Sequence, residues 1–155
     1  MDGKTKKFVE LAMTKATESQ LAKRHGCVLT KGVKVVAESC NVVNRSVLCG
    51  RSMTSLHAEM MALSMAYRNK GKRQQRKNRN RHVDLYVIRI DRNGNLVASK
   101  PCADCVKALQ KTGINRVYYS QEDGAIRMEK ACTMSNTHQS FYQQERRMPQ
   151  HRIRF

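Results

Sequence analysis

The chain has 155 residues, the size of one compact domain, and is 40% hydrophobic, enough to build one core. Only 5% is aromatic and tryptophan is absent, so aliphatic side chains must fill that core. The formal net charge of +18, from 30 Lys and Arg against 12 Asp and Glu, favours polyanionic partners: nucleic acid, phosphorylated substrates or an acidic membrane face. No window approaches the ~18 apolar residues of a membrane span, and the N-terminus lacks the apolar run of a signal peptide. A soluble, intracellular protein without a membrane partner is expected. In a reducing compartment its six cysteines are not presumed to pair.

Residues 4–22 read as an amphipathic helix, with Phe8, Leu11, Ala12 and Met13 opening an apolar face and Gly26 breaking it. CVLT, a Lys31-Gly32 turn and VKVVAES then read as a β-hairpin. The polar stretch 41–54 reads as a loop. Residues 55–69 predict a second helix, with Ser55 as a cap and Glu59 in the first turn, where the dipole favours an acid. Met60, Met61 and Met65 are expected in the core. HVDLYVIRID, 82–91, predicts a strand, and Asn93-Gly94 turns it towards a shorter LVAS run. A third helix starts at Pro101 or Cys102 and stops at Gly113. RVYYS, 116–120, is a further strand. QEDG then leaves too little chain for a crossover helix before AIRMEKA, so the last two strands are predicted to be antiparallel.

Residues 1–134 are read as one domain with an insertion at 68–81, and 135–155 as a basic tail that can be helical up to Pro149. In the insertion, eight of 14 residues are Lys or Arg and none is acidic or apolar. It has nothing to bury and reads as a solvated segment, either adding charge alone or contacting a polyanion.

The stretch KPCADC, 100–105, carries the chemistry. Cysteines three apart can form a redox pair, half of a structural zinc site or part of a catalytic one. A structural zinc needs four protein ligands, usually as two pairs, and the chain has no second CxxC. SLHAEMMAL, 55–63, offers His57 as a third ligand, which leaves one metal position open, as in catalytic zinc. In a first helical turn both sulfurs point the same way, and the helix N-terminus favours thiolates. His57 and Glu59 diverge by about 200° on a helical wheel, so near the helix start one can ligate while the other reaches over the open position. Cys27, Cys40, Cys49 and Cys132 are read as packing residues, and His25, His82, His138 and His151 as structural.

HAE followed by PCxxC resembles the zinc-dependent cytidine and deoxycytidylate deaminase superfamily, whose H-x-E…P-C-x-x-C signature it reproduces. RHGCVLTKGVKVVAES looks like the family's first hairpin, and the likeness covers roughly residues 5–120. The resemblance implies an α/β fold: a three-layer α/β/α sandwich with a mixed five-stranded sheet. It implies zinc as cofactor, held by His57, Cys102 and Cys105, with water as fourth ligand. Glu59 would shuttle protons between that water and the base. Asn41, or Asn44 beside it, would contact the sugar, and Ala58 would contact substrate. A homo-oligomer is implied too.

The motif sets the reaction class more tightly than the substrate. The alternatives are a free nucleoside or nucleotide such as cytidine, CMP or dCMP, cytosine in single-stranded DNA or RNA, and adenosine in tRNA. A non-catalytic zinc protein that binds nucleic acid is a further reading, disfavoured by Glu59. The predicted terminal hairpin resembles the free-nucleoside enzymes, whereas the charge favours a polynucleotide. Lys100, directly before Pro101, is expected to contact a phosphate. The 41–54 loop holds only Cys49 as a further candidate ligand, so a second metal site is not expected.

Overall fold

The computed structural model describes residues 1–43, 47–48, 51–52, 56–68 and 83–138. Most of the 68–81 insertion, Asn44, Cys49, Ser55, His82, His151 and the tail beyond residue 138 lie outside these residues. The first helix, α1 (Gly3–Thr17), is capped by Asp2, whose carboxylate accepts from the Thr5 N–H at 2.6 Å. Phe8, Val9, Ala12 and Ala16 form its buried stripe at helical spacing. It ends five residues earlier than the sequence predicts. The Thr17 hydroxyl bonds back to the Thr14 carbonyl, and Ser19 leaves the helix to bond the Asn41 carbonyl at 3.0 Å.

Gly26 does not break that helix. It lies within strand β1 (Arg24–Lys31), directly beneath α1. A Cβ there would stand 1.9 Å from the Ala12 carbonyl oxygen and 2.5 Å from the Ala16 nitrogen. Glycine is required because helix and strand backbones touch at this point. β1 pairs antiparallel with β2 (Lys34–Cys40) across the predicted hairpin. Within the expected loop, two short strands, β3 (Val47–Leu48) and β4 (Arg51–Ser52), pair with each other, and Val42 bridges to Leu56.

Helix α2 (Ala58–Arg68) starts three residues later than predicted. The His57 carbonyl accepts the Met61 N–H at 3.0 Å, so His57 takes the cap position. Its buried face is Ala58, Ala62, Leu63 and Ala66, mostly small residues that bring the helix close to the sheet. Met60 packs partly against that core, while Met65 is 38% exposed, which corrects its placement in the core.

Strand β5 (Val83–Ile90) is buried along most of its length. Burying each of its Val, Leu and Ile side chains contributes about 1.5–3 kcal/mol. Asp91 accepts from the Asn93 and Asn95 N–H groups and turns the chain into the short β6 (Leu96–Val97). Helix α3 (Ala103–Lys111) has Cys102 at its cap. It ends where Gly113, at φ 73°, gives its N–H to Gln110 and Ile114 gives its own to Leu109. β7 (Arg116–Ser120) and β8 (Ile126–Lys130) follow, then a 3-10 turn at Ala131–Thr133.

The sheet runs β2-β1-β5-β7-β8, with β6 paired to the end of β5. β5 and β7 are parallel, while β7 and β8 are antiparallel as predicted. α1 covers one face through Phe8, Val28, Tyr86, Ile88 and Ile90. α2 and α3 cover the other, through Cys27, Leu63, Leu85, Val87, Val106 and Val117. This is the expected α/β/α sandwich. Among the described residues, no helix is long and apolar enough to cross a membrane.

Candidate active site

The starts of α2 and α3 meet on the face away from α1. Among the described residues, His57, Cys102 and Cys105 converge, with one ligand atom from each lying within 4.8 Å of the others. His57 Nδ1 is 3.2 Å from Cys105 Sγ and 3.5 Å from Cys102 Sγ. A tetrahedral zinc with ordinary Zn–N and Zn–S lengths places N and S about 3.6 Å apart. The donor set and its spacing therefore fit zinc.

The electrostatics match that chemistry. Cys102 is drawn down to about 4 by the hydrogen bond from the Cys105 thiol and by His57, against burial. Cys105 is pushed well up by the adjoining Cys102 sulfur and by burial. His57 is raised by its bond to Cys102. Glu59 is almost fully buried, and that burial raises its carboxyl, opposed by His57. Cys27 lies fully buried close to Glu59, and burial raises its thiol.

The remaining predicted site residues are placed as follows. Ala58 is buried at the first helical position, where its N–H has no intrahelical acceptor, and its carbonyl accepts from the Ser39 hydroxyl at 2.7 Å. Asn41 ends the first hairpin. Its Nδ2 donates to the Lys23 carbonyl at 2.7 Å and its Oδ1 accepts from the His25 N–H at 2.9 Å. One amide proton and one lone pair remain. Lys100 does not stand free. Its Nζ donates to both carboxylate oxygens of Glu129, at 3.2 and 3.4 Å, and lies 5.7 Å from the centre of the Tyr119 ring. The Tyr119 hydroxyl donates to the same carboxylate. Of the other cysteines, Cys40 is half-buried and Cys132 is exposed on the 3-10 turn, which corrects its reading as a packing residue.

Three groups escaped the sequence reading. The segment after β8 crosses the start of α3: Asn136 Nδ2 donates to the Pro101 carbonyl at 2.8 Å, and the Ala103 N–H donates to the His138 carbonyl at 2.9 Å. Residues 135–138 of the predicted tail thus pack against the start of α3. His25, read as structural, stands opposite Arg89 in the β1–β5 register. Burial pushes its imidazole down to about 4, with Arg89 and His57 adding to the effect. Arg89 itself carries a legible signal, a cation directly after the apolar run Leu85–Ile88.

An α/β/α sandwich with a His/Cys/Cys centre at two helix starts defines a class of zinc-binding enzymes. The family model for the cytidine and deoxycytidylate deaminase zinc-binding region matches residues 2–121, and the chain belongs to this family of hydrolytic deaminases acting on nucleobases. Among solved structures, the chain is similar to a cytidine deaminase from Burkholderia pseudomallei (TM-score 0.60, 20% identity, 84% of this chain and 94% of that one). It is also similar to a dCMP deaminase from the cyanophage S-TIM5 (TM-score 0.53, 18% identity, 79% and 86%). At these identities the likeness concerns the fold. No curated protein sequence gives a significant match.

Proposed function

We propose that the chain deaminates cytosine to uracil on a nucleoside- or nucleotide-sized substrate such as cytidine, CMP or dCMP. The observation that carries this is the buried Glu59 beside the converging His57, Cys102 and Cys105. A purely structural centre needs no carboxylate next to an open position.

In this reading His57, Cys102 and Cys105 hold the zinc. Held there, zinc would supply a water of lowered pKa as nucleophile at neutral pH. Glu59 would serve as general base and acid, accepting a proton from the water that attacks C4 and delivering it to ring N3 of the base. Glu59 then moves the second proton to the exocyclic amine, which leaves as ammonia. Its burial keeps bulk water from competing for these protons. The Ala58 N–H, which has no acceptor within its own helix, is offered to the base, and the Asn41 amide to a sugar hydroxyl.

The antiparallel β7–β8 hairpin supports the small-substrate reading, since the resemblance links that arrangement to the free-nucleoside enzymes. The net charge of +18 favours the second reading, cytosine or adenine within DNA or RNA contacted through residues 68–81. Homo-oligomer formation, implied by the resemblance, is read by light scattering.

The test is ammonia release by the zinc-loaded chain from cytidine, CMP, dCMP, single-stranded DNA and tRNA. Glu59→Gln is expected to lower kcat by about 10²–10⁴-fold with zinc retained. Activity surviving that change would sink the assignment.

A further inference from the structure

Buried cations in folded proteins are paired, because an isolated charge in a low-dielectric surrounding is costly. Arg89 is partly buried and lacks such a partner. Its residue is half-buried and its Nε is buried, yet Nε has no hydrogen-bond partner. Among the described residues the guanidinium joins no ion pair. An arginine in that state, in a chain otherwise rich in solvated cations, calls for an anion supplied from outside.

Its position says which anion. Val83, Leu85 and Val87 face α2 and α3, so strand alternation puts Arg89 on the same face, two residues further along β5. The Val87 carbonyl accepts from the Ser99 hydroxyl at 2.8 Å, and Ser99 lies three residues before Cys102. On β1, Cys27 and Leu29 share that face, and so does His25, directly opposite Arg89. Arg89 and His57 both act electrostatically on the His25 ring. Arg89, His25 and the metal centre therefore gather at one end of the sheet, at the carboxyl ends of the parallel pair β5 and β7. Open α/β sheets bind ligands there. Lys100, before the first cysteine of the centre, is already neutralised by Glu129.

Resting on the cytosine deaminase reading above, we propose that Arg89 binds the phosphate monoester of a cytosine nucleotide, making the mononucleotide rather than the nucleoside the preferred substrate. The planar guanidinium offers parallel N–H donors to two phosphate oxygens. The structure assigns Arg89 to binding and not to the proton transfers.

The experiment uses the zinc-loaded full chain, Arg89→Gln and Arg89→Lys. Ammonia release is followed with dCMP and CMP against deoxycytidine and cytidine. Arg89→Gln is expected to raise KM for both nucleotides about 10- to 100-fold, while kcat and both nucleosides stay within about twofold. Arg89→Lys falls between, since it keeps the charge and loses the fork. Equal losses on nucleotide and nucleoside, or no loss on either, overturn the proposal. So does deamination of a cytosine oligonucleotide with none of the mononucleotides. If the wild-type chain releases ammonia from nothing, the deaminase reading fails, and calorimetric titration with dUMP and deoxyuridine decides on Arg89 alone. A dUMP preference abolished by Arg89→Gln supports the phosphate site. A preference that persists, or no dUMP binding at all, overturns it. Thermal unfolding without ligand controls for structure: removing an unpaired cation leaves Tm unchanged or higher.

Discussion

Gly26→Ala is the substitution whose consequence the geometry fixes best. The added methyl group would lie 1.9 Å from the Ala12 carbonyl oxygen, where ordinary contact begins near 3.4 Å. The obstructing atoms are backbone, so no side chain can rotate away, and α1 must lift from β1 by about 1.5 Å. That lift loosens Phe8, Val9, Ala12 and Ala16 together against Val28, Tyr86 and Ile88. Overpacking typically costs 1–3 kcal/mol, and an unyielding backbone puts this case at about 3 kcal/mol. For a chain of this length that lowers Tm by about 6–12 °C. Urea unfolding followed by circular dichroism measures the loss. Gly3→Ala is the control: nothing lies within 4 Å of its added carbon, so it should be neutral or stabilising. A Gly26→Ala loss below about 0.5 kcal/mol would refute the close approach of helix and strand.

The other predictions concern the site. Cys105→Ser should abolish stoichiometric zinc binding, read by metal analysis of the purified chain, because two donors cannot hold a catalytic zinc that three do. Asn136→Ala should weaken zinc affinity about 10-fold in a chelator competition, since Asn136 holds the Pro101 carbonyl next to the Cys102 ligand. An unchanged affinity would reduce residues 135–138 to covering chain. Lys100→Met should change the preference for nucleotide over nucleoside by no more than about threefold, because Glu129 already neutralises its ammonium. A larger effect would return the phosphate to Lys100.

Much of this architecture is legible in the sequence because it rests on local signals. The β-branched runs around Gly32, the apolar centre of β5 and the QEDG turn each decide their element within a few residues. The zinc-binding set is legible for another reason. HAE and PCxxC name their donor atoms by residue type, and the sandwich has few ways to bring two helix starts together. What escapes is set by contacts between distant segments. Gly26 reads as a helix stop until α1 is laid over β1. Lys100 reads as a phosphate contact, and only the fold shows that β8 brings Glu129 beside it. Met65 reads as core because its apolarity shows, whereas the rotation of α2 that buries Ala62 and Ala66 does not. Asn136 carries no signal at all, since its partner is a backbone carbonyl 35 residues away.

The metal centre also acts on the chain's entropy. His57 and Cys102 lie 45 residues apart, so an ion held by both ties that stretch into a ring. Closing such a ring costs free energy that grows only with the logarithm of its length, and doubling the length adds about 0.6 kcal/mol. A dozen residues inserted between α2 and β5 would add about 0.2 kcal/mol. The connection carrying the Lys- and Arg-rich segment can therefore lengthen or shorten by a dozen residues with little consequence for the free energy of closing that ring.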